Sequence, residues 1–327
     1  MGIIGAGSGV APEKFESRLR SKDLLGIEEL DAGEIQMILN TADSLKEVAH
    51  HPIKKVPALR GRTVVNLFYE PSTRTRTSFE LAALRLSADV VNIDVPTSSV
   101  SKGETLLDTA RTLEAMSVDV IVMRHASSGA PHSLARHLKS SVVNAGDGQH
   151  EHPTQALLDL YTVREKFGSV EGKTITLVGD ILHSRVAHSN LFAFTKLGAK
   201  VRFCGPPTLV PSELSALGAE VYYDLKEALT GADIVYVLRL QFERHRMGFL
   251  PSVRGYVKEY GITPERIKWA NPDALVMHPG PMNRGIEISH DAADSPQSVI
   301  VAQVANGIAI RMAVLYLLET SRMREGQ

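Results

Sequence analysis

Short, strongly apolar runs alternate with amphipathic stretches along most of this chain, and few folds accommodate that alternation. "TVVNLFY" (63–69), "DVVNI" (89–93), "DVIVM" (119–123) and "SVV" (141–143) read as buried strands. A helix from about Arg74 to Leu86 follows the first, with Phe79, Ala82, Ala83 and Leu86 on one face. Further helices are expected at about 104–115 and, ahead of the block, from Asp31 to about Ala49. A second block repeats the scheme, with strands at 173–180, 200–203, 220–223, 233–238 and 274–277 and helices at 184–197, 211–217 and 224–230. "HPTQALLDLYTVREKFG" (152–168) reads as one helix linking the blocks: Pro153 suits its first turn, where a missing N–H costs nothing, and Gly168 suits its end. An apolar helix from Gln297 to about Thr320 is expected to pack back across both blocks. Strands alternating with helices require parallel sheets covered on both faces. The expected fold is therefore α/β, two domains, each a parallel sheet with helices on both faces, and a site in the cleft between them.

The boundaries expected are 21–151 for the first domain, completed by the helix at 297–320, then a linking helix at 152–168 and a second domain at 169–296. Residues 1–20 read as a flexible extension. "MGIIGAGSGV" lacks a dinucleotide fingerprint, since Val10 stands where a third glycine is needed, and Ala6 breaks a myristoylation signal. At 327 residues the chain can form two cores of common size. Its formal net charge of -1 points away from a nucleic-acid binder or a polybasic membrane-surface protein. The apolar runs are too short for a membrane span. Cys204 is the only cysteine, which excludes an intrachain disulfide framework and, with no export signal, points to the cytoplasm.

In parallel sheets of this kind, ligands sit outside the carboxyl ends of the strands. The segments just beyond the strands hold nearly every unusual polar residue: "EPSTRTR" after 63–69, Arg124 and His125 after 119–123, and "NAGDGQHEHPTQ" after 141–143. In the second block they are "GDILHSR", "RLQFER" and "HPGPMNRG". At 72–76, unpaired N–H groups of a helix start, hydroxyl donors and Arg74 combine into a phosphate-sized anion site. The competing reading is a plain N-cap at Ser72 or Thr73, which accounts for one hydroxyl and not for the cluster. Arg124 either serves the rim or pairs with a nearby carboxylate. His152 reads as the N-cap of the linking helix, a surface histidine or a rim residue; Gln155, one turn later on the same face, favours the last, and the pair suits a carbonyl with its NH2 group. His150 and His152 ("HEH") lack a carboxylate-rich partner motif, so no metal site is expected. From spacing alone, Lys102 in "SSVSKGET" reads as a solvated loop lysine. Arg185 and Arg239, with Gln241 two residues on, suit a ligand with two carboxylates, with surface salt bridging as the competing reading of each arginine. Donors and positive charge dominate, with no nucleophile triad and no phosphate-loop lysine. Such a site works by binding two anions together and stabilising developing negative charge.

"PSTRTRTSFE", "KGET", "MRH", "HPTQALLDL", "RLQFER" and "HPGPMNRG", in this order from about Ser21 to the last helix, resemble the aspartate/ornithine carbamoyltransferase family. "RLQ" and "HPGPMNRG" are similar to the aspartate branch, whereas ornithine enzymes typically carry "HCLP" in the late loop. The resemblance implies carbamoyl transfer from carbamoyl phosphate to L-aspartate, an early step of de novo pyrimidine synthesis, with no metal or organic cofactor. By the same resemblance, Ser72, Thr73, Arg74, Thr75 and Arg124 hold carbamoyl phosphate. Thr75, Arg124 and His152 meet its carbonyl oxygen, and Gln155 with the backbone of Pro279 and Gly280 meets its amide. The family often has leucine where Gly280 stands. Arg185, Arg239 and Gln241 hold aspartate, while Glu70 bridges to Arg185 and Arg244 on domain closure. Ser98 and Lys102 come from a neighbouring subunit of a homotrimer, which displaces the solvated reading of Lys102. Regulatory chains or a dihydroorotase are further partners that the resemblance leaves open. The alternatives are a carbamoyltransferase acting on ornithine or a related amine, and a non-catalytic anion-sensing or assembly protein of the same fold.

Overall fold

A computed structural model describes residues 18–50, 53–94, 104–241 and 252–325. Two parallel sheets form. The first comprises β1 (Thr63–Phe68), β2 (Asp89–Asp94), β3 (Val120–His125) and β4 (Ser141–Asp147) in the order β2-β1-β3-β4. The second comprises β5 (Thr174–Val178), β6 (Lys200–Cys204), β7 (Glu220–Tyr222), β8 (Ile234–Val237) and β9 (Leu275–Met277) in the order β7-β6-β5-β8-β9. β5 and β8 are buried along their whole length, the pattern of strands covered on both faces.

The helices begin where local chemistry supplies acceptors for their orphan N–H groups. In α1 (Ala32–Lys46), Asp31 accepts from the Glu34 N–H while the Glu34 carboxylate accepts from the Asp31 N–H, a reciprocal cap. One-way caps start two more helices: Ser184 Oγ accepts from the Ala187 N–H at α6 (Arg185–Lys196), and Thr105 Oγ1 from the Asp108 N–H at α3 (Leu106–Ala115). α5 (Pro153–Phe167) ends at Gly168, whose N–H donates to the Arg164 carbonyl. α2 (Thr73–Arg85) differs: Ser72 holds its N-cap position but makes no side-chain capping bond.

Several elements depart from the sequence reading. The helix expected at 211–217 is a 3-10 helix over Ser212–Leu217. β4 runs to Asp147, well past the 141–143 expected, because pairing with β3 and a bridge from Leu24 to Val143 override the low strand preference of Asn144 and Gly146. Four short helices went unread: α4 (Ala130–Ala135), α8 (Val253–Tyr260), α9 (Pro264–Ile267) and α10 (His290–Ala293). At four to eight residues they are too brief for a periodic stripe.

α11 (Ile300–Glu325) packs against α1, α2 and α5. Within it, Ile300–Ser321 is long and apolar enough to cross a membrane, which run length alone hid, since Gln303, Asn306, Arg311 and Glu319 interrupt it. It is 67% buried inside the fold. One core runs unbroken from Val64, Phe79 and Val143 through Leu157, Tyr161 and Ile310 to Ile175, Leu177 and Tyr236. Residues of both sheets thus share one apolar interior, across α5 and α11.

A buried carboxylate fastens the N-terminal segment to the same junction. Glu151 accepts from the N–H groups of Ile27 and Glu28 and from Ser189 Oγ (2.6 Å). Glu151→Ala strands those donors, so a loss of roughly 2–4 kcal/mol is expected. Urea unfolding monitored by circular dichroism checks it.

Candidate active site

The C-terminal ends of β1, β3, β5, β8 and β9 open onto one cleft of about 570 Å³. β1 leads into Glu70 and the hydroxyls at the start of α2, and β3 ends beside Arg124. The turn after β4 delivers His152 and Gln155. From the second sheet come Arg185 after β5, Arg239 and Gln241 after β8, and the 278–281 loop after β9. Every residue that the resemblance assigned to substrate binding or closure and that lies among the described residues lines this cleft: Glu70, Ser72, Thr73, Arg74, Thr75, Arg124, His152, Gln155, Arg185, Arg239, Gln241, Pro279 and Gly280; His125 and His150, also singled out, do not. Ser98, Lys102 and Arg244 lie outside the described residues.

Five arginines and a single carboxylate, that of Glu70, line the cavity among the described residues. Glu70 Oε2 lies 2.8 Å from Arg185 Nη2 and 3.4 Å from Arg124 Nε, so it bridges the two rims. Gly146 permits this approach of arginines. Its φ is +114°, and a Cβ there would sit 3.1 Å from Arg185 Nε and 3.3 Å from Arg124 Nη1. Gly280, at φ +64°, likewise lies under Arg74, with the guanidinium carbon 3.0 Å from where a Cβ would be. Partial burial first, and then the charge of Arg239, lower the Arg74 pKa. This surplus of positive charge is relieved by anions.

Burial, followed by the charges of Arg124, Arg185 and Arg311, holds His152 well below the ordinary histidine range. It is therefore neutral at physiological pH. Its ring Nδ1, Arg185 Nη1 and Arg311 Nε are buried without hydrogen-bond partners in the protein. Such orphan groups are costly unless a ligand meets them.

The residues behind the cleft escaped the sequence reading. Asp159, fully buried, accepts from Gln155 Nε2 (3.0 Å) and Gln303 Nε2 (2.7 Å) on Oδ1, and from Asn190 Nδ2 (3.0 Å) and Tyr236 OH (2.7 Å) on Oδ2. Gln303 Oε1 in turn accepts from the His278 N–H. One carboxylate therefore positions Gln155 and the 278–281 loop together. The Gly280 N–H donates to His278 Nδ1, which sets the tautomer so that Nε2–H faces Glu287. Ser189 Oγ accepts from the His152 N–H and donates to Glu151, fixing the start of α5. Arg311 donates to Ser78 Oγ and lies over the Phe79 ring. Burial pulls its pKa down to about 10, so it stays protonated at neutral pH. Two signals were present: Asp159 one turn beyond Gln155, and polar Gln303 and Arg311 within an apolar helix.

Two parallel-sheet domains facing each other across a cleft rich in arginine define a two-anion group-transfer protein. The family model described as aspartate/ornithine carbamoyltransferase, carbamoyl-P binding domain, matches residues 22–165, and the one described as Asp/Orn binding domain matches 171–318. The chain belongs to the aspartate/ornithine carbamoyltransferase family. Among particular relatives, it is 60% identical over 297 residues to the aspartate carbamoyltransferase catalytic subunit of Syntrophotalea carbinolica, covering 91% of this chain and 95% of the relative. The corresponding subunit of Moorella thermoacetica is 58% identical over 301 residues, covering 92% and 98%. Among solved structures, aspartate transcarbamoylase of Trypanosoma cruzi in complex with N-(phosphonacetyl)-L-aspartic acid superposes with a TM-score of 0.82 at 33% identity, covering 90% and 94%. Ornithine carbamoyltransferase of Pyrococcus furiosus gives 0.80 at 33% identity, covering 90% and 96%. The backbone alone therefore does not separate the two acceptors.

Burial pushes the Asp159 carboxyl up to about 6 from an ordinary 3.8, against the four donors that lower it. The folded chain thus holds this proton more tightly than the unfolded chain. Its contribution to stability is greatest below about pH 4 and is lost as pH rises through about 6. Activity runs the other way, because the proton of a neutral Asp159 sets an O–H on one oxygen against the two donors that face it, Gln155 and Gln303 on Oδ1 or Asn190 and Tyr236 on Oδ2. Asp159→Asn is expected to lower kcat/KM on the order of 10–100-fold at pH 8 and to remove a fall in rate near pH 6. pH–rate profiles of both proteins check this; an unchanged fall in the variant would assign it elsewhere.

Proposed function

We propose that this chain transfers the carbamoyl group of carbamoyl phosphate to the amino group of L-aspartate, yielding N-carbamoyl-L-aspartate and phosphate, an early step of de novo pyrimidine synthesis. The observation that carries the reading is the convergence, among the described residues, of five arginines on a cleft with one carboxylate, already engaged by Arg124 and Arg185. A phosphate and a dicarboxylate fit that field, and an ornithine ammonium finds no free carboxylate among the described lining residues.

Ser72, Thr73, Arg74, Thr75 and Arg124 hold the phosphate, helped by Ser98 and Lys102 of a neighbouring subunit. Thr75, Arg124 and His152 meet the carbonyl oxygen, and Gln155 with the carbonyls of Pro279 and Gly280 takes the amide. Arg185, Arg239, Gln241 and Lys102 hold the aspartate carboxylates. Gln241 Nε2 donates to the His183 carbonyl at 3.1 Å, which fixes its side chain. Closure draws Glu70 toward Arg185 and Arg244; its contact with Arg185 supports this role. The domain holding carbamoyl phosphate is 21–151 with the last helix, and the aspartate domain is 169–296, joined by 152–168.

The aspartate amine attacks the carbamoyl carbon, forming a C–N bond and a tetrahedral oxyanion. The bond from that carbon to the phosphate oxygen then breaks. His152, being neutral, stabilises the oxyanion as an N–H donor and is a poor base. Glu70 is held by two arginines. The departing phosphate therefore takes the amine's proton. Rate enhancement comes from proximity and from donors already in place.

We also place the chain in the cytoplasm and in a homotrimer with sites shared between subunits. The single cysteine, buried Cys204, supports the first. Leu81, Leu84 and Val91 support the second, being exposed on α2 and on the edge strand that leads toward residues 95–103. Such a trimer alone, with regulatory chains, or joined to a dihydroorotase are three arrangements that this reading leaves open.

Incubation with carbamoyl phosphate and either aspartate or ornithine tests the reaction. N-carbamoyl-L-aspartate is the expected product, and transfer to ornithine but not aspartate overturns the reading. Sharing of sites has its own check. Inactive Arg74→Ala and Lys102→Ala proteins, dissociated and reassembled together, should recover part of the activity; none in verified mixed assemblies rules sharing out.

A further inference from the structure

Away from the cleft, three side chains from separate elements meet: His132 on α4, Asp147 at the end of β4, and His150 in the turn before α5. One ligand-capable atom from each lies within 4.8 Å of the other two. The two imidazoles stand nearly edge to face, with centroids 5.3 Å apart. The Asp147 carboxylate is fully buried and pinned by the N–H of Gly129 (2.6 Å) and the Asn144 amide (2.8 Å), and His150 Nδ1 lies 3.2 and 3.3 Å from its oxygens. Folding thus supplies the carboxylate that the "HEH" run lacks in sequence.

Glu29 adds an independent observation. Its Oε1 lies 2.8 Å from His132 Nε2. A carboxylate there accepts the Nε2–H, so the lone pair of the ring falls on Nδ1, and that nitrogen is buried without a hydrogen-bond partner. A carboxylate behind one ring nitrogen, with the other bare, is the arrangement by which metal sites orient a histidine ligand.

We infer that His132, Asp147 and His150 form a binding site for a first-row divalent cation of which Zn²⁺ is the type, with Glu29 as a positioning residue. Two imidazoles and one carboxylate suit Zn²⁺ or Co²⁺, whereas Mg²⁺ and Ca²⁺ call for oxygen ligands throughout. The ion replaces the proton between His150 and Asp147 and takes the bare His132 Nδ1. The side chains of His132 and His150 are 29% and 37% exposed, which leaves solvent access for the ion and for water as a further ligand. None of the three residues lines the cleft. The ion clasps α4 and the end of β4 to the turn that delivers His152, so its effect is on stability.

The test uses the full chain, stripped of metal by a chelator, and Zn²⁺ alone as the probe. Calorimetric titration with elemental analysis is expected to give one equivalent per chain and a rise in Tm on saturation. His132→Ala and His150→Asn each lose stoichiometric binding. Glu29→Gln, which removes no ligand, weakens it about 10-fold or more. Co²⁺ in place of Zn²⁺ gives a visible d–d spectrum that disappears in His150→Asn. Carbamoyl transfer by these variants at 25 °C stays within about twofold of the parent, since none reaches the cleft. Absence of stoichiometric Zn²⁺ binding up to millimolar metal overturns the inference. Unchanged affinity in both histidine variants does so too; should His132→Ala fail to fold, His150→Asn and Glu29→Gln read the same question.

Discussion

Mutual repulsion among arginines held in one cleft is the constraint on which the rest of this structure depends. Arg74, Arg124, Arg185, Arg239 and Arg311 line a cavity with only Glu70, among the described residues, to offset them. Leaving guanidinium groups close together and partly desolvated raises the energy of the empty site, and two anionic substrates lower it again. Much of the surrounding architecture serves to hold these charges in place. Gly146 lets Arg124 and Arg185 lie side by side, and Gly280 gives Arg74 a surface to rest on. Phe79 and Ser78 fix Arg311.

A second layer, made of neutral amides around one buried acid, supplies rigidity. Asp159 joins α5 to α6, to β8 and to α11 through single hydrogen bonds. The same contacts that unite the two sheets also orient Gln155 and the loop at 278–281. Glu151 and Ser189 play the equivalent part for His152. Domain cohesion and substrate positioning are thus carried by the same few buried groups. Substitutions there are expected to couple stability to rate, because neighbouring members of one network do not act independently.

Strand and helix order was legible because it is written in local periodicity, and the cleft followed from one topological rule. Arg185 and Arg239 stand far from "STRTR" in the chain, yet each follows a parallel strand, and strand ends converge. The Ser72 hydroxyl, free of capping duty, fits the reading of a cluster made for an anion rather than for the helix. The supporting layer was harder to read. Asp159 looked like one more polar residue in "ALLDL", and Gln303 and Arg311 like interruptions of an apolar helix. Their meaning lies in partners up to 233 residues away. β4 was cut short since its final residues are stabilised by neighbours rather than by their own preference.

By itself, the sequence determined the two parallel sheets, the rim on which the site is built, and the positive character of that rim. Periodicity and the geometry of crossovers act locally, so one chain suffices to reveal them. Only the tertiary structure decided which protonation states the site holds. His152 is neutral because burial and three guanidinium groups surround it. Asp159 is pushed up to about 6 by burial that four donors only partly offset. The same is true of His132, Asp147 and His150, which became one cluster when α4 folded against the end of β4. Desolvation and the electrostatic field are sums over everything nearby in space, and proximity in space is what a linear sequence does not contain.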